Sequence, residues 1–518
     1  MLLPPLNDDC ARVVLSMLGK PELAALSRVS RPVASYIRPW LVRNVNVAKT
    51  TPSRSIDLGA LRFVLKYDLG SYIQALTVFP PSGFVLDLAA LLPVVDEFLR
   101  LLADVIESAV NLCSFRMYMY QRGYLEREPR ILLTLQQRSL LQKLQFTDIG
   151  QADVDALLST PISNLRCLQI TVTDFLDVGI VFEIAGLSAQ TLDELSISYT
   201  PPVEVYEQEV GSGNPSTVFP HVQRLALLNI TMAASDIARA FPHLQHLKLV
   251  VWGQSALPAP FFFPSGLPNN VSFPELRSIA GHSGLMALPI HANLQRLRID
   301  QTIISKDMFD EALQTMAASP LTSVSLIVRT RSAGEKRPRA RAAQTREAWP
   351  YFSPTVISKV ASCIPRVQFF ELGFNWGRFR AYGLSPETCV KSALCLESAC
   401  APLAELKDLR YASFTVPGAR DGAEDIRPNM QSIFDHLFNT LPNVKHLSAR
   451  SKGMYQHRFH YRRRAETTSH AEESTVSSST EEHPCIETTS KEALAAYERY
   501  SWEATGLKGW CVGGHEWQ

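Results

Sequence analysis

A short phrase recurs down this chain and limits what it can fold into: an apolar residue, two variable positions, a second apolar residue, one variable position, a third. Its clear copies are Leu141, Leu144 and Phe146; Leu165, Leu168 and Ile170; Leu192, Leu195 and Ile197; and Val222, Leu225 and Leu227. It continues as Leu244, Leu247 and Leu249; Leu294, Leu297 and Ile299; Leu321, Val324 and Leu326; Val367, Phe370 and Leu372; and Val444 with Leu447. Weaker copies start near Ile73, Leu112, Leu276 and Leu409. The last two anchors of each phrase stand two apart, so in an extended segment they share a face and the residue between them takes the other.

What precedes the phrase also repeats. Phe219-Pro220, Phe241-Pro242, Phe273-Pro274, Ile364-Pro365 and Leu441-Pro442 stand just before copies, where proline ends a helix and favours extended backbone. Helical stripes run ahead of two copies: Met308, Phe309, Ala312, Leu313 and Met316, then Ile433, Phe434, Leu437, Phe438 and Leu441. Core copies lie 18 to 32 residues apart, close to the period of a leucine-rich repeat. The asparagine that normally closes the strand turn is present as Asn375, with Thr173, Thr200 and Thr302 in other copies. The expected fold class is α/β, an irregular solenoid of strand–turn–helix units, each stable only against its neighbours.

A chain of 518 residues exceeds a single core and fits several domains or one array. Its 51 Lys+Arg balance 50 Asp+Glu, a formal net charge of +1, so no global field points to nucleic acid or a membrane. Nine scattered cysteines point to a reducing compartment. Cys389, Cys395 and Cys400 lack the tight pairs of a zinc site, and neither metal nor cofactor is expected. The start, Met1-Leu-Leu-Pro-Pro, is unlike a signal peptide, and Phe84–Val95 is too short to span a bilayer. The expectation is a soluble, intracellular protein.

Residues 6–45 read as three short helices. Asn7, Asp8 or Asp9 caps the first, whose apolar positions are Val13, Val14, Met17 and Leu18, with Gly19 past its end. Pro21 opens the second, with Leu23, Leu26 and Val29 on one side; the third carries Val33, Tyr36, Ile37 and Leu41. Helices this short need support from the rest of the chain or from a partner.

Leu6, Asp9, Val14-Leu15, Leu18, Leu23, Leu26 and Val29-Ser30-Arg31 fall in order on the F-box pattern, and Arg38-Pro39-Trp40-Leu41-Val42-Arg43 resembles the ending common in fungal members. Asn7 stands where the family has proline. The chain thus resembles an F-box protein with divergent leucine-rich repeats. That resemblance implies a substrate-recognition subunit of a Skp–cullin–F-box ubiquitin ligase. Leu6, Val14, Leu15, Leu18, Leu23, Leu26 and Val29 would meet the Skp-type adaptor, and through it a cullin; the repeat surface would hold a protein target. The alternative is a non-catalytic scaffold whose N-terminal helices only cap the array.

Three regions follow: a helical module over 1–50, the array over 51–450, and a largely disordered tail over 451–518. Loop insertions are expected near 201–219, 253–274 and 329–350. Glu194, Arg224, His246, Lys248, Arg296 and Arg298 lie between anchors and are expected to project from the concave face as target contacts. Phe261, Phe262 and Phe263 read as a local plug or a sticky partner site. Lys336-Arg337-Pro338-Arg339 reads as a nuclear-import signal or a solvated basic loop, leaving cytoplasm and nucleus both open. No P-loop, H-E-x-x-H, G-x-S-x-G or dinucleotide motif is present, so no catalysis is expected.

Overall fold

The computed structural model describes residues 7–47, 58–79, 88–119, 123–173, 178–200, 211–212, 215–250, 272–281, 285, 293–303, 306–329, 354–375, 400–417, 427–452, 458–463 and 485–487. Leu6, Phe261–Phe263, Lys336–Arg339, Cys389 and Cys395 lie outside them. The chain divides into two compact units, Met1–Leu244 with Val251–Gly253, and Gln245–Val250 with Gln254–Gln518.

The first unit begins with α1 (Asp8–Met17), α2 (Lys20–Leu26) and α3 (Arg31–Leu41). Asn7 caps α1, its side chain accepting from the Cys10 N–H at 2.8 Å; Ser30 caps α3 by accepting from Val33. Leu15, Leu23 and Ile37 form a small core, with Leu18, Leu26, Val33, Tyr36, Trp40 and Leu41 packed around it. Strand β1 (Asn44–Val47) follows, and Lys20 Nζ donates to the Asn44 carbonyl at 2.6 Å. The helices are thereby tied to a sheet edge.

Every phrase copy in this unit becomes a strand. These are β2 (Ala75–Val78), β3 (Ser114–Tyr118), β4 (Lys143–Ile149), β5 (Cys167–Val172) and β6 (Glu194–Tyr199). A two-residue β7 (Gly211–Ser212) precedes β8 (Arg224–Leu228) and pairs with β9 (Ile230–Thr231), so the expected 201–219 loop contains a short strand. Strands β1 to β6 and β8 pair in chain order, all parallel. Successive middle anchors fall on one register row: Leu76, Phe115, Leu144, Leu168, Leu195 and Leu225. All are buried, each worth about 1.5–3 kcal/mol relative to exposure.

Helices α4 (Gly59–Lys66), α5 (Leu88–Ser108), α6 (Tyr124–Arg127), α7 (Arg130–Gln136), α8 (Gln151–Ser159), α9 (Val178–Gly186) and α10 (Ala234–Ala240) occupy the connections. Leu157 of α8 and Ile184 of α9 face the same small apolar void as Leu144, Phe146, Leu168 and Ile170, which puts helices on the anchor face. A buried carboxylate joins two of these connections. Asp153 accepts from Gly123 and Leu125 at 2.9 Å and from Gly150 at 3.3 Å. Burial raises its pKa, opposed by those three N–H groups.

The second unit repeats the scheme. Strands β10 (His246–Val250), β11 (Ser278–Gly281), β12 (Arg296–Ile303), β13 (Ser323–Arg329), β14 (Phe369–Asn375), β15 (Tyr411–Pro417) and β16 (His446–Lys452) pair in parallel and in chain order. The long spacings around 330–410 therefore lengthen connections without interrupting the sheet. Gly281 stands where a third anchor belongs, at φ +134°. A Cβ there would collide with the Leu249 carbonyl, so only glycine fits.

Both expected stripes lie in helices, with the described members as follows. Phe309, Ala312 and Met316 of α11 (Lys306–Ala317) are buried; α12 (Pro354–Cys363) follows; Phe434, Leu437 and Phe438 of α13 (Arg427–Thr440) are buried.

Two short strands lie within the expected tail. Within 451–518, β17 (Arg458–Arg463) pairs antiparallel with β16, and β18 (Cys485–Glu487) with β17. Tyr461 is buried against Phe434, ring centroids 4.4 Å apart. The Arg463 guanidinium donates to the carbonyls of Leu441 at 2.9 Å and Val444 at 3.1 Å, and to that of Phe438. Phe459 and Tyr461 alternate with charged neighbours, a strand pattern hidden in a strongly polar stretch.

Among the described residues no helix is long and apolar enough to cross a membrane, and no three His, Cys, Asp or Glu converge as a metal site.

Candidate protein-binding surfaces

Two surfaces hold the residues singled out above. The first is the helical module. Met17 stands four residues after Val13 and three after Val14 on α1, the spacing of helical neighbours, and Val13, Val14 and Met17 are 60%, 42% and 80% exposed; Val29, in the turn after α2, is 70% exposed. Apolar side chains this open, four within so small a module, mark a surface suited to a partner.

The orientation of α1 divides the expected contacts into buried and exposed residues. Leu15 and Leu23 are buried in the module's own core, and Leu18 and Leu26 pack around it; none of these four is offered whole to a partner. The inward stripe of α1 is Ala11, Leu15 and Leu18, while Val13, Val14 and Met17 turn outward. Of the six expected adaptor contacts among the described residues, Val14 and Val29 are exposed. Val13 and Met17 are exposed beside them and were not among the expected residues because the motif pattern does not require them.

The second surface is the sheet face opposite the anchors. In the first unit one register row runs Lys143, Cys167, Glu194, Arg224, and the next runs Arg116, Gln145, Gln169, Ser196. Lys143 and Arg116 are exposed; Gln145, Cys167, Gln169, Glu194 and Arg224 are half-buried. Arg224 pairs with Glu194 at 3.7 Å, and the Gln169 amide donates to Glu194 at 3.4 Å. Burial pushes the Cys167 thiol up to about 12; Glu194 acts the same way, while Lys143, Arg116 and Arg224 oppose it. An inert, protonated thiol amid charged neighbours offers binding, not nucleophilic chemistry.

In the second unit the corresponding rows run His246, Ser278, Arg296, Ser323, Phe369, Tyr411, His446, and Lys248, Ala280, Arg298, Ser325, Glu371, Ser413, Ser448. Lys248 and Arg298 are half-buried as expected of contacts. His246 and Arg296 stand on the same rows but are buried, 4% and 2% exposed. Strand alternation places a side chain on a face but says nothing about whether that face is covered.

No protein-family model matches the chain, and no curated protein matches it.

Proposed function

We propose that this chain is the substrate-recognition subunit of a Skp–cullin–F-box ubiquitin ligase, its repeats a divergent leucine-rich-repeat array. The outward apolar stripe Val13, Val14, Met17, with Val29, carries the reading. The module closes its own core with Leu15, Leu23 and Ile37 and still leaves these four open. A helix serving only as a cap would turn such residues inward. The adaptor covers the stripe, the half-exposed sheet face of the first unit takes a target, and the ligase acts by holding that target near the charged ubiquitin carrier. The chain itself catalyses nothing in this scheme.

The scaffold alternative is favoured by one observation. Strand β1 and the Lys20–Asn44 bond place the helices at the sheet edge, where a repeat array needs a cap.

Co-precipitation of a Skp-type adaptor with the full-length chain separates the two. Wild type captures the adaptor, and Met17→Asp with Val14→Asp loses capture while keeping the wild-type thermal midpoint. Wild type without capture leaves the capped scaffold.

A further inference from the structure

The exposed sheet face of the first unit carries an unbalanced charge. Arg116 on β3, Lys143 on β4 and Arg224 on β8 face one carboxylate, Glu194 on β6, so three positive charges less one negative leave +2. Only Arg224 of the three has an ion-pair partner, Glu194 at 3.7 Å. Arg116 and Lys143, both exposed, have no carboxylate within ion-pair distance among the described residues. The chain as a whole carries only +1, so this surplus is local to the face.

The spacing of the cations selects the shape of the anion. Lys143 and Arg224 share a register row with β5 and β6 between them, three strand spacings or about 14 Å. One phosphate cannot touch both. An extended peptide advances about 13 Å over four residues, so carboxylates four apart match them. Gln145 and Gln169, half-buried in the adjacent row, offer amide donors and acceptors to a peptide backbone.

We propose that this face takes an extended acidic peptide of a partner protein, lying across the strands, with one carboxylate between Arg116 and Lys143 and a second beside Arg224. The inference rests on reading the face as target-binding and names the class of segment it accepts. Arg224 then shares its guanidinium between Glu194 and the peptide. Exposed charges are screened over about 8 Å at physiological ionic strength, so binding weakens as salt is added.

The test is fluorescence anisotropy on the full-length protein. The probe is a labelled synthetic peptide with Asp at positions i and i+4 in a Gly/Ser/Thr background, and its Asn counterpart is the comparison. The Asp peptide is expected to bind about tenfold tighter than the Asn peptide at low salt, and to lose about tenfold in Arg116→Glu with Lys143→Glu. Both positions are exposed; should the reversals impair folding, Arg116→Gln with Lys143→Gln carries the same expectation at smaller size. Equal binding of the Asp and Asn peptides overturns the proposal. So does undiminished binding by a folded double variant, or tighter binding of a peptide with a single phosphoserine. Adaptor capture reads out α1 and not this face, so the ligase reading and the peptide proposal fail separately.

Discussion

The two units place equivalent register positions in different surroundings. In the first unit, the position before the middle anchor is Lys143, Cys167, Glu194 and Arg224, exposed or half-buried and mostly charged. In the second it is His246, Ser278, Arg296, Ser323, Phe369, Tyr411 and His446, all buried except the half-buried His446. Phe369 and Tyr411 stack there at 5.0 Å and 18°, and Tyr411 stacks on His446 at 6.3 Å and 22°. On the open face Lys143, Glu194 and Arg224 are charged; on the covered face most positions are small or aromatic and contribute packing, with the buried Arg296 the charged exception. The lesson is that a repeat fixes backbone register, while the use of the non-anchor face is chosen unit by unit.

The largest expected effect breaks the comparison if it fails. Tyr411→Ala should cost about 3–5 kcal/mol of unfolding free energy, as for a large buried aromatic, whereas Lys143→Ala at the equivalent position should change it by less than about 0.5 kcal/mol. Urea denaturation of both variants gives the values. Similar losses at the two sites would erase the distinction between faces.

A smaller difference is expected within the covered face. Ser325 donates to Glu371 at 2.7 Å, and Ser325→Ala should cost about 1–3 kcal/mol by leaving a half-buried carboxylate short of a donor. Gln169→Ala on the open face, its Glu194 partner 3.4 Å away, should cost about 0.5 kcal/mol or less because water replaces the lost bond.

The smallest effect concerns a buried carboxylate of the first unit. Burial raises the Asp153 pKa above its unfolded value near 4, so its contribution to stability is full below that unfolded value and falls as pH rises through the folded one. The stability difference between wild type and Asp153→Asn should therefore shift in favour of wild type as pH is lowered from neutral. Denaturant midpoints across pH decide it.

Much of the fold was legible because the phrase is local in sequence and repeats in space. Even the weak copies near Ile73, Leu112, Leu276 and Leu409 lead into strands β2, β3, β11 and β15, and Leu276 looked weak because its third anchor is Gly281. The helical module was legible in its bounds and caps but not in its facing. A helix of ten residues bearing both Ala11-Leu15 and Val13-Val14-Met17 has two apolar stripes, and contact of Leu15 with Leu23 and Ile37 decides between them. The burial of His246 and Arg296 was not legible because alternation cannot report what covers a face. The strand at Arg458–Arg463 was missed because composition over a long window outweighed two alternating aromatics.

The central claim is that the outward stripe of α1 seats an adaptor, and adaptor capture by the full-length chain tests it most directly. Leu18 and Leu23 are poor probes, because Leu23 is buried in the module core and Leu18 packs against it, so a charge there disrupts folding. Met17 and Val14 are exposed. The account expects wild type to capture a Skp-type adaptor, and Val14→Asp with Met17→Asp to lose at least about tenfold in affinity at unchanged thermal stability. Capture that survives in a folded double variant would contradict it.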